Sequence, residues 1–215
     1  MEDGKFIVFE GLDGSGTTTQ AHLLNSYLFD KDKSNGLFLT REPNHYNEQG
    51  REIRRRLEGN LLPGEEVIDD FQYWADLFVG NREFHLTEYI IPNKLKGIHS
   101  ISDRHTMSTL AYQSAQGGQM EHLVKMHENF QTPDLTLFVD VPASVALERI
   151  KKNREGTPEY FEAKESFLEH TANNYQKVIT LVGDAHNVVT IDGTMSIDDV
   201  AKAVRTQIDN LFGYE

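Results

Sequence analysis

Phe6-Ile7-Val8-Phe9-Glu10-Gly11-Leu12-Asp13-Gly14-Ser15-Gly16-Thr17-Thr18-Thr19-Gln20 joins a β-prone apolar run to a glycine-rich stretch and then to the start of a helical pattern. Its spacing is that of a phosphate-binding loop: Gly11, four residues, Gly16, one residue, then the hydroxyl residue Thr18. Glycines let successive backbone N–H groups turn inward, and the helix start adds the positive end of its dipole, so the ligand this geometry suits is a polyphosphate. One position departs from the pattern. Where a lysine normally reaches the β- and γ-phosphates, this chain has Thr17, which carries no charge. Losing one preorganised charge from a transition state costs about 10²- to 10³-fold in rate, roughly 3 to 4 kcal/mol. Lys151, Lys152 and Arg154, in the basic stretch 149–156, are candidate replacements.

Working outward, short apolar runs recur with helical patterns between them. Leu37-Phe38-Leu39-Thr40 stops at the charged Arg41-Glu42-Pro43, and residues 98–102 lead into Asp103-Arg104. Leu135-Thr136-Leu137-Phe138-Val139 and Asn187-Val188-Val189-Thr190-Ile191 read as fourth and fifth strands, each followed by a helical segment. Residues 21–28 carry a helical pattern ending before Gly36, and a longer one over 65–91 is expected to stop at Pro92. Alternating strand and helix predicts a parallel sheet with right-handed crossovers, an α/β architecture. Ligands in such sheets sit outside the carboxyl ends of the strands. The chemically suggestive residues cluster there, at 11–19, 41–43 and 103–108.

Composition narrows the function. The chain has 215 residues, 38% hydrophobic and 26% charged, enough for one sizeable core, and its 21 Lys and Arg against 34 Asp and Glu give a net charge of −13. That sign disfavours broad nucleic-acid binding. With no cysteine there is no disulfide framework, thiolate metal site or cysteine nucleophile, and a reducing cytoplasm fits. No stretch approaches the roughly 20 apolar residues of a membrane span, and the first twenty residues lack the pattern of a signal peptide. None of the 9 histidines forms a metal-ligand motif, and they read as surface or core residues. Arg51, Arg54, Arg55 and Arg56 make a basic helix, either a local positive field or a solvated face.

Taken together, Phe9 to Gly16, Thr40-Arg41-Glu42-Pro43, Phe78-Val79-Gly80-Asn81-Arg82, Asp103-Arg104-His105 with the segment to Gln113, and Asp134 to Val141 resemble the thymidylate kinase family in the right order along most of the chain. The resemblance implies a three-layer P-loop fold with a five-stranded parallel sheet flanked by helices, as a single domain over 1–215 with a mobile lid at about 149–160. It implies transfer of the γ-phosphoryl group of ATP to dTMP, with Mg2+, in a cytoplasmic homodimer that touches through helices near 65–91 and 107–116, without nucleic-acid or membrane partners.

By the same resemblance, Arg41 and Arg104 hold the dTMP phosphate, a role suited to a guanidinium fork, with Asp103 beside them on the substrate side. Asp13 matches the loop carboxylate that meets the sugar 3′-hydroxyl and organises the reacting phosphates. Phe78 stacks on thymine and Arg82, one turn on, donates to a base carbonyl, although Phe78 on an apolar helix face alone reads as core. Thr109 and Gln113 match positions that read the base edge, Tyr112 packs against the deoxyribose, and Ser108 matches a serine of this loop. Gly11, Gly14, Ser15, Gly16, Thr17, Thr18 and Thr19 form the ATP side, with the Thr18 hydroxyl on the metal. Arg154 matches the lid's catalytic arginine, and Arg149 lies nearer the adenine. Two departures stand out: Thr17, and Asn44-His45-Tyr46-Asn47 where the family continues with two glycines and a threonine. A kinase for another nucleoside monophosphate, and a catalytically silent nucleotide-binding protein, are the alternatives the sequence leaves open.

Overall fold

β1 (Phe6–Gly11) is buried along its whole length at the centre of the sheet in the computed structural model, which describes residues 3–153 and 165–214. β3 (His99–Asp103) pairs with it on one side and β4 (Leu135–Asp140) on the other; β2 (Leu37–Arg41) lies outside β3 and β5 (Val188–Asp192) outside β4, all parallel. The expected five-stranded parallel sheet is present, with the third and fifth strands one residue later than the apolar pattern suggests.

The period of two along β1 divides the core. Ile7 and Phe9, with Leu135, Leu137 and Val139 of β4, pack under α1 (Thr17–Lys31) and α9 (Ile197–Phe212). Phe6 and Val8 face the other way, onto Leu86 and Ile90. On that second face α3 (Phe71–His85), α5 (Thr106–Ala115) and α8 (Glu165–Val182) share a cluster that includes Trp74, Leu110, Tyr175 and Val178. Both faces are covered, as a parallel sheet requires. The helices that follow the adjacent strands β1 and β3 leave toward opposite faces, so a crevice opens at the carboxyl ends of these strands.

The long helical pattern over 65–91 is corrected at both ends. The helix begins at Phe71, where the Asp70 side chain accepts the Gln72 N–H (2.9 Å). Glu65 is instead drawn into ion pairs with Arg55 (2.5 Å) and Arg56 (2.9 Å) of α2 (Glu48–Leu57). Nor does Pro92 stop it: α3 passes through one π turn (Leu86–Ile90) into α4 (Ile91–Leu95), with Pro92 in the first turn of α4. The widened π register accommodates a residue that has no N–H and clashes with an ordinary preceding turn. α6 (Met120–Lys125) and α7 (Ala143–Asn153) complete the described helices. No helix among the described residues is long and apolar enough to cross a membrane.

Candidate active site

The loop after β1 turns through Gly14 at φ +81° and Gly16 at φ +103°, left-handed conformations that favour glycine. A Cβ on Gly14 would also lie 2.5 Å from the Ala146 carbonyl oxygen, so α7 fixes the loop from outside. Gly16 precedes α1, whose N-terminus carries no side-chain cap and no acidic residue in its first turn. Its opening N–H groups are thereby left for an anion. Thr17 is buried in this turn and brings no charge. Arg149 supplies a cation beside the loop: its guanidinium donates to the Ser15 carbonyl (3.2 Å) and to the Gly193 carbonyl (2.9 Å). Lys151 and Lys152 are exposed in the last turn of α7, and Arg154 lies outside the described residues.

The Thr18 hydroxyl donates to Asp103 Oδ2, tying the first turn of α1 to the end of β3. Asp103 Oδ1 is buried and has no hydrogen-bond partner. A hydroxyl and an unsatisfied carboxylate oxygen beside a phosphate loop are hard oxygen donors of the kind Mg2+ takes together with phosphate and water, so these residues fit the ion. No cluster of three or more His, Cys, Asp or Glu suited to a metal occurs among the described residues.

Arg104 follows β3 in a left-handed backbone conformation, φ +77°, costly for an arginine and held by its own N–H bond to the Phe9 carbonyl (2.8 Å). Its side chain donates to Asp13 Oδ1 (2.6 Å), the Gly11 carbonyl (2.8 Å) and Ser108 Oγ (2.9 Å). Tyr112 clasps Asp13 from the other side, accepting its N–H (3.0 Å) and donating to Oδ2 (2.7 Å). Burial and the adjacent Asp13 carboxylate push the Tyr112 phenol far above its ordinary value, so it remains a donor. Although burial works against its charge, the Asp13 carboxylate and neighbouring tyrosines hold Arg104 firmly protonated.

Asp13, Arg41, Phe78, Arg82, Arg104, Ser108, Thr109, Tyr112 and Gln113, which the sequence spreads over a hundred positions, line one cavity. Phe78 is partly buried against Trp74, with centroids 6.4 Å apart and planes inclined by 31°. Gln113 donates to Gln116 (3.1 Å), and its Oε1 is buried without a partner. Asp103 does not line this cavity. It lines the neighbouring cleft with Thr18, and Arg41 borders both spaces.

Arg82 is more enclosed than its sequence context suggests. It is 1% exposed, and its guanidinium donates to Glu42 (2.7 Å), His127 (2.7 Å), the His105 carbonyl (2.8 Å) and Thr109 Oγ1 (3.0 Å). Burial alone would raise the Glu42 pKa, but Arg82, His105 and His85 outweigh it and hold the carboxyl well below the usual range.

Motif reading takes in Glu10 and Arg54 without the contacts the structure gives them, and gives no role to Tyr175 or His127. Glu10 accepts the N–H groups of His105 (2.9 Å) and Ser108 (3.2 Å) and so caps α5 from a neighbouring strand. Tyr175, from α8, shares its one hydroxyl proton between the Gly11 carbonyl (3.0 Å) and Glu10 Oε2 (3.2 Å). His127 holds Arg82, and Arg54 of α2 borders the cavity while Arg55 and Arg56 pair with Glu52 and Glu65. The basic helix is thus divided, one arginine at the site and two in a surface ion-pair network. The departing loop 44–47 is anchored by Asn81, whose Oδ1 accepts the Asn44 N–H (3.0 Å) and whose Nδ2 donates to Asn47 Oδ1 (2.7 Å).

The family model for thymidylate kinase matches residues 9–204. The chain is 34% identical over 198 residues to a probable thymidylate kinase of Pyrococcus horikoshii, covering 92% of each chain. It is 34% identical over 214 residues to the thymidylate kinase of Carboxydothermus hydrogenoformans, covering 98% of this chain and 99% of that one. With the thymidylate kinase of Thermosipho africanus the identity is 32% over 210 residues, 95% and 97% covered. A match of this extent, on a fold whose strand ends gather the family's motifs around one crevice, makes the chain a member of the thymidylate kinase family.

Proposed function

We propose that the protein is an ATP-dependent dTMP kinase, converting dTMP and ATP to dTDP and ADP. The observation that carries this reading is the cavity in which an aromatic face, an arginine, an unsatisfied amide oxygen and three further arginines converge beside a phosphate loop. Phe78 offers its ring to thymine, Gln113 Oε1 accepts from the base, and Arg82 donates to a base carbonyl. Arg41, bordering both the acceptor cavity and the cleft containing Thr18 and Asp103, grips the phosphate that receives the transferred group. Arg104 shares that grip and fixes Asp13 at the junction, where the sugar and the reacting phosphates meet.

On the ATP side, residues 14–18 cradle the phosphates, with Gly11 and Thr19 framing the loop, and Arg149 lies toward the adenine. Mg2+, held by Thr18 and Asp103, would neutralise phosphate charge. Phosphoryl transfer needs positioning and electrostatic stabilisation rather than a protein nucleophile. The loop lysine's charge is made up by Arg154, from a lid over about 149–160. The single domain, the homodimer and the cytoplasmic setting belong to the same proposal and rest on the resemblance.

The test is turnover of the purified protein with ATP, Mg2+ and each of dTMP, dUMP, dGMP and AMP. dTMP is expected to be preferred, Arg104→Ala to abolish its turnover, and Phe78→Ala to raise its KM at least tenfold. Preference for a purine monophosphate overturns the reading of the cavity. Binding of both nucleotides without turnover identifies a silent nucleotide-binding protein.

A further inference from the structure

A guanidinium has five N–H groups in a fixed plane. In Arg82 the Nε proton goes to Glu42, both Nη2 protons go to the His105 carbonyl and Thr109 Oγ1, and one Nη1 proton goes to His127 Nε2 (2.7 Å). One N–H is left, on Nη1, the nitrogen that His127 holds. Arginine can only donate, so His127 Nε2 is an acceptor. Its other nitrogen, Nδ1, lies 2.7 Å from the Leu123 carbonyl, which can only accept, so Nδ1 carries the proton. Both ring nitrogens are therefore assigned by their partners, and the imidazole is neutral. Burial and the neighbouring guanidinium depress its pKa to about 3, which keeps that tautomer across the working range. Phe130 meets the ring edge-on, with centroids 5.6 Å apart, and fixes its plane.

We infer that His127, a residue outside every motif of the sequence, is the positioning residue that aims the remaining Arg82 N–H at the substrate base and so sets selection of a carbonyl over an amino group there. The inference rests on dTMP being the ligand of this cavity. Glu42 at Nε and the two Nη2 acceptors fix one side of the guanidinium plane, and the His127 bond is the one that anchors its Nη1 corner. Without it neither Nη1 proton has a protein acceptor, the plane is held from one side only, and it can tilt about those bonds and take the remaining N–H off the line to the base. A base offering an amino group at that edge presents a donor to a donor, and this mismatch discriminates only while the Arg82 N–H is held in place.

The experiment compares native protein with His127→Phe, which preserves the ring packing and removes the acceptor, and His127→Gln, which restores one. dTMP affinity is measured by calorimetry without ATP, and kcat and KM are measured for dTMP, dCMP and ATP. For His127→Phe we expect a tenfold or greater rise in dTMP Kd and KM and a tenfold fall in the dTMP to dCMP ratio of kcat/KM. Its kcat and ATP KM should stay within threefold, and His127→Gln should recover most of the ratio. A merely structural role would lower the melting temperature and leave that ratio unchanged, a result that overturns the inference, as would His127→Gln losing as much as His127→Phe. Should His127→Phe not fold, His127→Asn, one methylene too short to reach Arg82, must show the same split. A native protein that binds dTMP without turning it over refutes the kinase reading while the binding data still judge His127. One that does not bind dTMP overturns both.

Discussion

Glu10 is fully buried at the end of β1 and accepts from the N–H groups of His105 and Ser108, the Ser108 hydroxyl (2.5 Å) and the Tyr175 hydroxyl (3.2 Å). It does for α5 what a capping side chain at the helix's own start would do, since His105 at that position provides no side-chain cap. Replacing it by alanine strands two buried N–H donors at about 1–3 kcal/mol each, while the two hydroxyls can rotate toward other acceptors. A loss of about 4 kcal/mol follows. Glu10→Gln keeps one oxygen for the N–H groups and loses the favourable placement of an acid at a helix N-terminus. Its cost is about 2 kcal/mol, the upper range of that effect in a buried geometry. For a domain of this size each kcal/mol moves the melting temperature by about 2–4 °C. Urea unfolding at pH 7 with a parallel thermal scan reads both variants. Because α5 carries Ser108, Thr109, Tyr112 and Gln113, dTMP KM should rise more than ATP KM in Glu10→Gln. An alanine variant within 1 kcal/mol of native stability would refute the argument.

Two further outcomes follow from the same contacts. His127 and His186 have pKa values depressed chiefly by burial, to about 3 and about 4, so the unfolded chain takes up protons below about pH 6.5 that the folded one refuses. Stability should fall between pH 7 and pH 5, by about 2 kcal/mol per histidine at pH 5; Glu42, whose carboxyl is held low, keeps its contribution over that window and loses it only in stronger acid. A flat urea midpoint from pH 7 to 5 would contradict this. Thr17→Ala should keep turnover within threefold, because Thr17 brings no charge, whereas Thr18→Ala removes the hydroxyl bound to Asp103 and should lower kcat at least tenfold and raise the Mg2+ requirement; equal effects would refute the assignment.

The sheet was legible because its signals are local. Apolar runs of four to six residues, each ended by charge or glycine, mark strands whatever surrounds them. The glycine-rich turn between β1 and α1 was legible for the same reason, and family resemblance together with a one-turn spacing singled out Phe78 and Arg82, which the structure brings to one cavity. What could not be read depends on partners distant in the chain. Nothing near Glu10 says that it caps a helix about 95 positions on. Nothing near His127 says that an arginine 45 positions earlier will fix its tautomer. The helix expected to start near Glu65 starts at Phe71 because Arg55 and Arg56 capture that glutamate, a tertiary event invisible to periodicity. Pro92 misled for the converse reason: the rule that proline ends helices presumes an α register, and here the preceding turn is π.

The bonds from Asn81 to Asn44 and Asn47 join the loop after Arg41 to the helix that carries Phe78 and Arg82. Under the proposed function, the residues assigned to base and phosphate are thereby tied together across the cavity, and the gap between them acts as a ruler. Such a ruler measures a ligand by the span from its ring to its phosphate. Thymidine 3′-phosphate, with the same base and the same charge, is expected to fail that measurement, because moving either end strains the bonds that join it to the other.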